Sequence, residues 1–143
     1  MSRYRPVVGS FIAAALSCVG VFASASAATA DAGTTCGGKD PCMRFFYNSN
    51  RAGSYTYFRV NNVPDLAPYT YLASGAGKGQ PVKNNGASLS NDTNKAVTVY
   101  YNSNYGGACD TVAAFSYVDR LNNTYNDNAS FRWGVSESRC YKF

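Results

Sequence analysis

The sequence has no histidine, and among its 143 residues it has only 8 acids and 2 methionines. Without imidazole there is no Ser-His-Asp or Cys-His nucleophile system, no His-ligated zinc and no His-based pH switch. Carboxylate chemistry is the main remaining route to catalysis. Yet Asp31, Asp40, Asp65, Asp92, Asp110, Asp119, Asp127 and Glu137 stand singly, with no spacing that reads as a dyad. Isolated surface acids are the simpler account, so a non-enzyme is expected. Amphipathic helices are missing too: beyond residue 30 no window carries an i, i+3, i+4, i+7 apolar stripe. Basic residues are scattered singly from Lys39 to Lys142 and form no stripe, which argues against a nucleic-acid partner.

The one long apolar run lies at the start. Arg3 and Arg5 precede apolar residues from Val7 to Ala23, and A-x-A frames follow at Ala25 to Ala27 and Ala28 to Ala30. The run is broken by Gly9, Ser10, Ser17 and Gly20 and has no basic stop-transfer flank, so it reads as an export signal rather than a membrane span. The expected layout is a signal peptide at 1–30 and a single domain at 31–143, secreted to the extracellular space, free of the membrane and monomeric. Loss of Arg3 and Arg5 from 13 Lys+Arg against 8 Asp+Glu lowers the net charge from +5 to +3.

Four cysteines stay in the exported part: Cys36, Cys42, Cys109 and Cys140. In an oxidising compartment an even number reads as disulfides, with three connectivities open for four residues. Proximity along the chain favours Cys36 with Cys42 across CGGKDPC, which leaves Cys109 for Cys140.

Tyrosine (12), glycine (13) and asparagine-rich strings are abundant, and they repeat in an ordered way. YNSNRAG at Tyr47 to Gly53 returns as YNSNYGG at Tyr101 to Gly107, an offset of 54. Asn84-Asn85-Gly86-Ala87-Ser88 returns as Asn126-Asp127-Asn128-Ala129-Ser130, an offset of 42. Two elements in the same order, twice, indicate a duplicated unit, at about 43–95 and 96–143, with about twelve extra residues in the first. The insert falls in or near Ala67 to Pro81. Runs of Tyr, Phe, Val and Thr near Met43 to Tyr47, Ser54 to Val60, Ala96 to Tyr101, Cys109 to Phe115, Ser130 to Val135 and Arg139 to Phe143 predict strands between Asn, Gly and Ser turns. Two such units make an all-β sandwich, each burying one face against the other. Trp133 is expected in its core.

Tyr100, Tyr105 and Gly107 satisfy an aromatic-x4-aromatic-x-Gly hairpin pattern that resembles βγ-crystallin Greek keys. Phe46 and Gly53 fit in the first copy, where Arg51 stands in place of the second aromatic. The later element of each copy resembles the crystallin calcium loop, Asn/Asp-Asn/Asp-x-x-Ser/Thr-Ser. The resemblance implies a βγ-crystallin-like sandwich of two Greek-key motifs. More narrowly, VTVYYNSNYGG, NDNASFRW and the Ala-rich leader resemble exported proteins grouped with the Streptomyces metalloproteinase inhibitor, which implies an extracellular peptidase as partner.

The calcium resemblance places ligands at Asn84, Asn85 and Ser88 and at Asn126, Asp127 and Ser130. Calcium takes six to eight oxygen ligands and gains affinity with ligand charge. The two loops hold one carboxylate, Asp127, and end on Leu89 and Phe131 where the pattern has serine. Asn-rich turns also form without metal, because asparagine accepts left-handed backbone. No other cofactor is expected. For peptidase inhibition, the insert qualifies as a displayed segment, with Tyr69, Tyr71 and Leu72 as candidates for an apolar specificity pocket; the Cys36 to Cys42 loop is a second candidate. Three readings follow: a peptidase inhibitor, taken as the best; a calcium-binding or structural crystallin-like protein; and an antimicrobial toxin or carbohydrate-binding module.

Overall fold

The Tyr-, Phe- and Val-rich runs do form strands in the computed structural model, which describes residues 32–33, 36 and 41–143. The expected export signal at 1–30 and residues 37–40 of the small cysteine loop lie outside the described residues. Nine strands follow in order: β1 Ala32–Gly33, β2 Cys42–Asn48, β3 Ala52–Arg59, β4 Ser88–Asn91, β5 Val97–Asn102, β6 Gly106–Val112, β7 Ser116–Val118, β8 Ser130–Trp133 and β9 Tyr141–Lys142. Among the described residues no helix is long and apolar enough to cross a membrane.

The strands build two sheets, β1-β3-β2-β4-β7 and β8-β5-β6-β9. Each repeat contributes an antiparallel hairpin, β2–β3 or β5–β6, and a strand added to its first arm, β4 or β8. The two units then exchange a segment. β7 of the second unit pairs with β4 of the first, while Val63 of the first bridges Phe131 in β8 of the second. The exchange repeats bond for bond: Leu121 N donates to Ala87 O and Leu66 N to Ala129 O, both at about 2.9 and 2.8 Å. Neither unit closes its own sheet, so the fold requires both.

Alternation along the strands sends Met43, Phe45, Phe58, Leu89, Val97, Val99, Val112 and Phe131 inward, all essentially inaccessible. Phe58 stacks on Phe131 with ring centroids 5.0 Å apart, joining the two sheets. Burial of each such side chain contributes about 1.5 to 3 kcal/mol. Trp133 packs in the same cluster, as expected, and its indole nitrogen donates to Asn61 O at 3.1 Å.

Three short strands, β1, β4 and β7, are absent from the sequence-based expectation. β4 reads Ser-Leu-Ser-Asn and β7 reads Ser-Tyr-Val, polar strings that resemble turns. β4 becomes a strand because β2 and β7 on either side satisfy its backbone groups, and β7 pairs with β4 at the edge of the sheet.

Candidate functional site

The repeated YNSN string makes a tight hairpin in which two successive residues are left-handed: Asn50 and Arg51 at φ 60° and 55°, Asn104 and Tyr105 at 58° and 65°. Asparagine tolerates this backbone well, but arginine and tyrosine there are strained by roughly 1–2 kcal/mol each. Glycines follow at φ 77°, Gly53 and Gly107, where a Cβ would press on the amide of Asn48 or Asn102 at 3.0 or 2.9 Å.

Each hairpin is locked by the serine of the later element. Ser88 Oγ donates to Asn48 O (2.6 Å) and accepts from Arg51 N (3.0 Å); Ser130 Oγ donates to Asn102 O (2.7 Å) and accepts from Tyr105 N (3.0 Å). Both serines are fully buried. The two Asn-rich loops also clasp each other, Asn84 N donating to Asn128 O at 2.8 Å and Asn126 N to Gly86 O at 2.9 Å. Asn128, buried, accepts from Gly86 N at 2.7 Å and donates to Val82 O.

This arrangement does not fit a calcium shell. The serine hydroxyls are committed, Asn85 Nδ2 donates to Lys83 O, and Asn84, Asn126 and Asp127 are exposed. A shallow cleft does bring Asn84, Asn102, Ser103 and Asp127 together, but Lys83 lines it as well. The Lys83 ammonium donates to Asp65 Oδ1 and to Ser103 Oγ, both at 2.9 Å, and this bond holds the Asp65 carboxyl below its usual range. A cation placed there finds one lining carboxylate, Asp127, beside an ammonium already paired with Asp65, short of the charged oxygen shell that calcium favours. Among the described residues the one cluster of cysteine and acidic groups, Cys109, Glu137 and Cys140, is also unavailable to metal, since its cysteines are joined.

The insert is ordered rather than a loose connection. Tyr71 N donates to Gln80 O, Gly79 N to Tyr71 O and Val82 N to Tyr69 O, which folds residues 69–82 into a hairpin. It is tied to β3: Leu72 N and Ala73 N donate to Tyr55 O, Ser54 N to Ala76 O, and Ser54 Oγ to Ala73 O at 2.5 Å. The tyrosines do not point outward. Tyr71 is 1% exposed; its hydroxyl donates to Asn85 O at 2.9 Å, and burial raises its pKa, with Tyr47 adding a smaller push. Tyr69 is half-buried against Phe58. They are core side chains because alternation in the insert hairpin turns them toward the sandwich. Only Leu72 of the three is displayed, at 39% exposure, beside the tip 74–80.

The cysteines pair as chain proximity favours, Cys36 with Cys42 and Cys109 with Cys140. The second bridge holds the C-terminal segment across the outer face of the second sheet. There Val135 O accepts from Thr98 Oγ1, while Glu137 accepts from Tyr100 OH (2.6 Å), Arg132 (2.6 Å) and Arg139 (2.6 Å). The Tyr100 bond, then the two guanidinium groups, hold the Glu137 carboxyl down at about 2.

The outer face of the first sheet bears a second cleft, about 440 Å³, which the sequence did not single out. Arg44, Phe46, Asn50, Arg51, Ser90, Asp92 and Tyr117 line it, with Phe115 at its rim. Arg51 lies over the Tyr117 ring at 3.8 Å and bonds Asp119 at 3.0 Å; Arg44 bonds Asp92 at 2.6 Å. Phe115 is 75% exposed at φ 52°. The one sequence signal for this site is Arg51 itself, the place where the first hairpin departs from its pattern.

Comparison with known proteins agrees with the architecture. The chain resembles a solved structure described as bearing on the evolution of the eye lens βγ-crystallin domain fold, with TM-score 0.58 at 14% identity, covering 74% of this chain and 97% of that one. It is similar also to the N-terminal domain of protein S (TM-score 0.50, 20% identity, 66% and 96% covered). A double mutant of a βγ-crystallin domain from Clostridium beijerinckii matches at TM-score 0.50 and 18% identity, over 66% and 98%. At these identities the likeness establishes the fold alone. No curated protein matches the chain. A family model does match, over residues 23–112, and it spans both hairpins and the insert between them. By that match the chain belongs to peptidase inhibitor family I36.

Proposed function

We propose that this protein is an exported inhibitor that stops a metallopeptidase by seating the tip of its insert in the active-site cleft. The observation that carries the reading is the anchoring of residues 69–82: a displayed tip, an exposed Leu72, and backbone bonds to β3 from Leu72, Ala73 and Ala76. A segment already fixed in its bound shape loses little conformational freedom on binding, which is where flexible loops forfeit affinity. Leu72 suits an apolar pocket, and Tyr69, Tyr71 and Val82 pack the base of the hairpin into or against the shared core. Metallopeptidases are favoured over serine peptidases by the resemblance of VTVYYNSNYGG and NDNASFRW to the Streptomyces metalloproteinase inhibitor group. Export rests on the leader at 1–30.

The test is inhibition of thermolysin and of subtilisin by the exported chain and by its Leu72→Asp variant. Inhibition of thermolysin that weakens at least tenfold in L72D supports insertion of the tip. Equal inhibition by both forms would reject the tip while keeping the inhibitor.

A further inference from the structure

The duplication allows each position on one sheet's outer face to be compared with its counterpart on the other. Thr98, Tyr100 and Arg132 lie under the C-terminal segment, and the first two are fully buried. The offsets of 54 and 42 place Arg44, Phe46 and Ser90 at the matching positions of the first sheet. These three line the open cleft. One sheet is therefore covered by a segment of its own chain, and the equivalent surface of the other is open.

The covering segment shows what such a face accepts: a short turn, closed by Cys140 N donating to Glu137 O, whose carboxylate, Glu137, is held by a tyrosine hydroxyl and two guanidinium groups. The open face offers comparable chemistry. Arg44 bonds Asp92 through one terminal nitrogen, and its Nε is buried without a partner. Arg51 and Arg44 supply guanidinium groups, and Tyr117 and Phe115 supply aromatic surface. Tyrosine and arginine are the side chains that dominate protein interfaces. Phe115, bare and held left-handed by the bond from its N–H to Thr93 O, is an anchor kept out of the core at a cost in strain.

The cleft is also continuous with the insert. Gly53 and Ser54, just past the first hairpin tip, hold Ala76 of the insert, while Asn50 and Arg51 of the same tip line the cleft. We infer that this cleft is a docking surface for a carboxylate-bearing segment of the target peptidase, beside the site the insert enters. The inference rests on the inhibitor reading. It adds area that a narrow loop tip lacks, since stable complexes bury about 800 Å² per partner.

The experiment uses the exported chain with Phe115→Asn and Tyr117→Ser, which removes both rings while asparagine keeps the left-handed backbone at 115. Arg44→Gln tests the charge separately. The matched control is Tyr141→Ser with Phe143→Ser, two exposed rings on the covered sheet. Inhibition of thermolysin and subtilisin is read alongside melting temperature. At unchanged melting temperature, F115N/Y117S and R44Q each weaken inhibition at least tenfold, and Y141S/F143S leaves it unaltered. Undiminished inhibition by F115N/Y117S and R44Q would overturn the docking surface and leave the inhibitor reading standing. No inhibition by the wild type would overturn that reading and this inference with it. A dimer in sedimentation that F115N/Y117S splits would assign the cleft to a second copy and overturn the peptidase as its occupant.

Discussion

The two sheets are made by the same repeated unit, yet they end in different conditions. The outer face of β8-β5-β6-β9 is sealed by residues 135–140, clamped by Cys109–Cys140 and by the Glu137 bonds to Tyr100, Arg132 and Arg139. The outer face of β1-β3-β2-β4-β7 carries an open cleft, and the anchored insert is tied to β3 just past the hairpin that borders it. The shared features, the left-handed hairpin and the buried serine beneath it, belong to the fold. The differences, Arg51 for Tyr105, Arg44 for Thr98, and an insert found in one copy, lie at the surfaces proposed above for recognition. In a duplicated protein, the positions where the copies diverge are where recognition is to be sought.

The largest effect is expected from uncovering the sealed face. Replacing Cys109 and Cys140 by serine releases a loop with a sequence separation of 31. In the chain-entropy model that bridge contributes roughly 3 to 4 kcal/mol, a drop in Tm of about 10 °C or more by calorimetry. Next come the symmetric locks. Ser88→Ala and Ser130→Ala each remove two part-buried hydrogen bonds, at about 0.5–1.5 kcal/mol per bond, and chemical denaturation should find the two costs alike. Unequal costs would mean that the units are not energetically equivalent.

Gly77→Ala addresses the insert alone. A Cβ there would meet the Tyr47 ring at 2.2 Å with φ at 87°, so a loss of about 1–3 kcal/mol is expected, with weaker inhibition. The acid response separates the faces more finely. Glu137 is depressed from 4.5 to about 2, so its contribution is present above 4.5 and is lost as pH falls toward 2. Wild-type Tm should fall over that window more steeply than that of Glu137→Gln. Parallel curves would show that the seal does not depend on the carboxylate. The smallest expected effect is that of CaCl2: no heat in calorimetry and no rise in Tm, because Ser88 and Ser130 are committed and Lys83 occupies the cleft beside Asp127.

Much of this architecture was legible before any coordinates. The offsets of 54 and 42 locate the two units and the insert, because each hairpin needs the same left-handed Asn and the same Gly wherever it occurs. The exchange of Val63 and β7 between units was not legible, since it depends on partners some 30 to 70 residues away rather than on local pattern. Tyr71 and Tyr69 were read as displayed because Gly75, Gly77 and Gly79 make their surroundings look like a mobile loop; backbone bonds to β3 turn them into core instead. The cleft escaped notice for a related reason. Arg44, Phe46 and Ser90 become distinctive only once their counterparts are seen under the C-terminal segment.

The most direct measurement is titration of thermolysin and subtilisin with the purified exported chain, following residual activity to a clear endpoint. The account predicts loss of thermolysin activity at near-equimolar inhibitor, with little effect on subtilisin. Full activity of both enzymes at a large molar excess would contradict it.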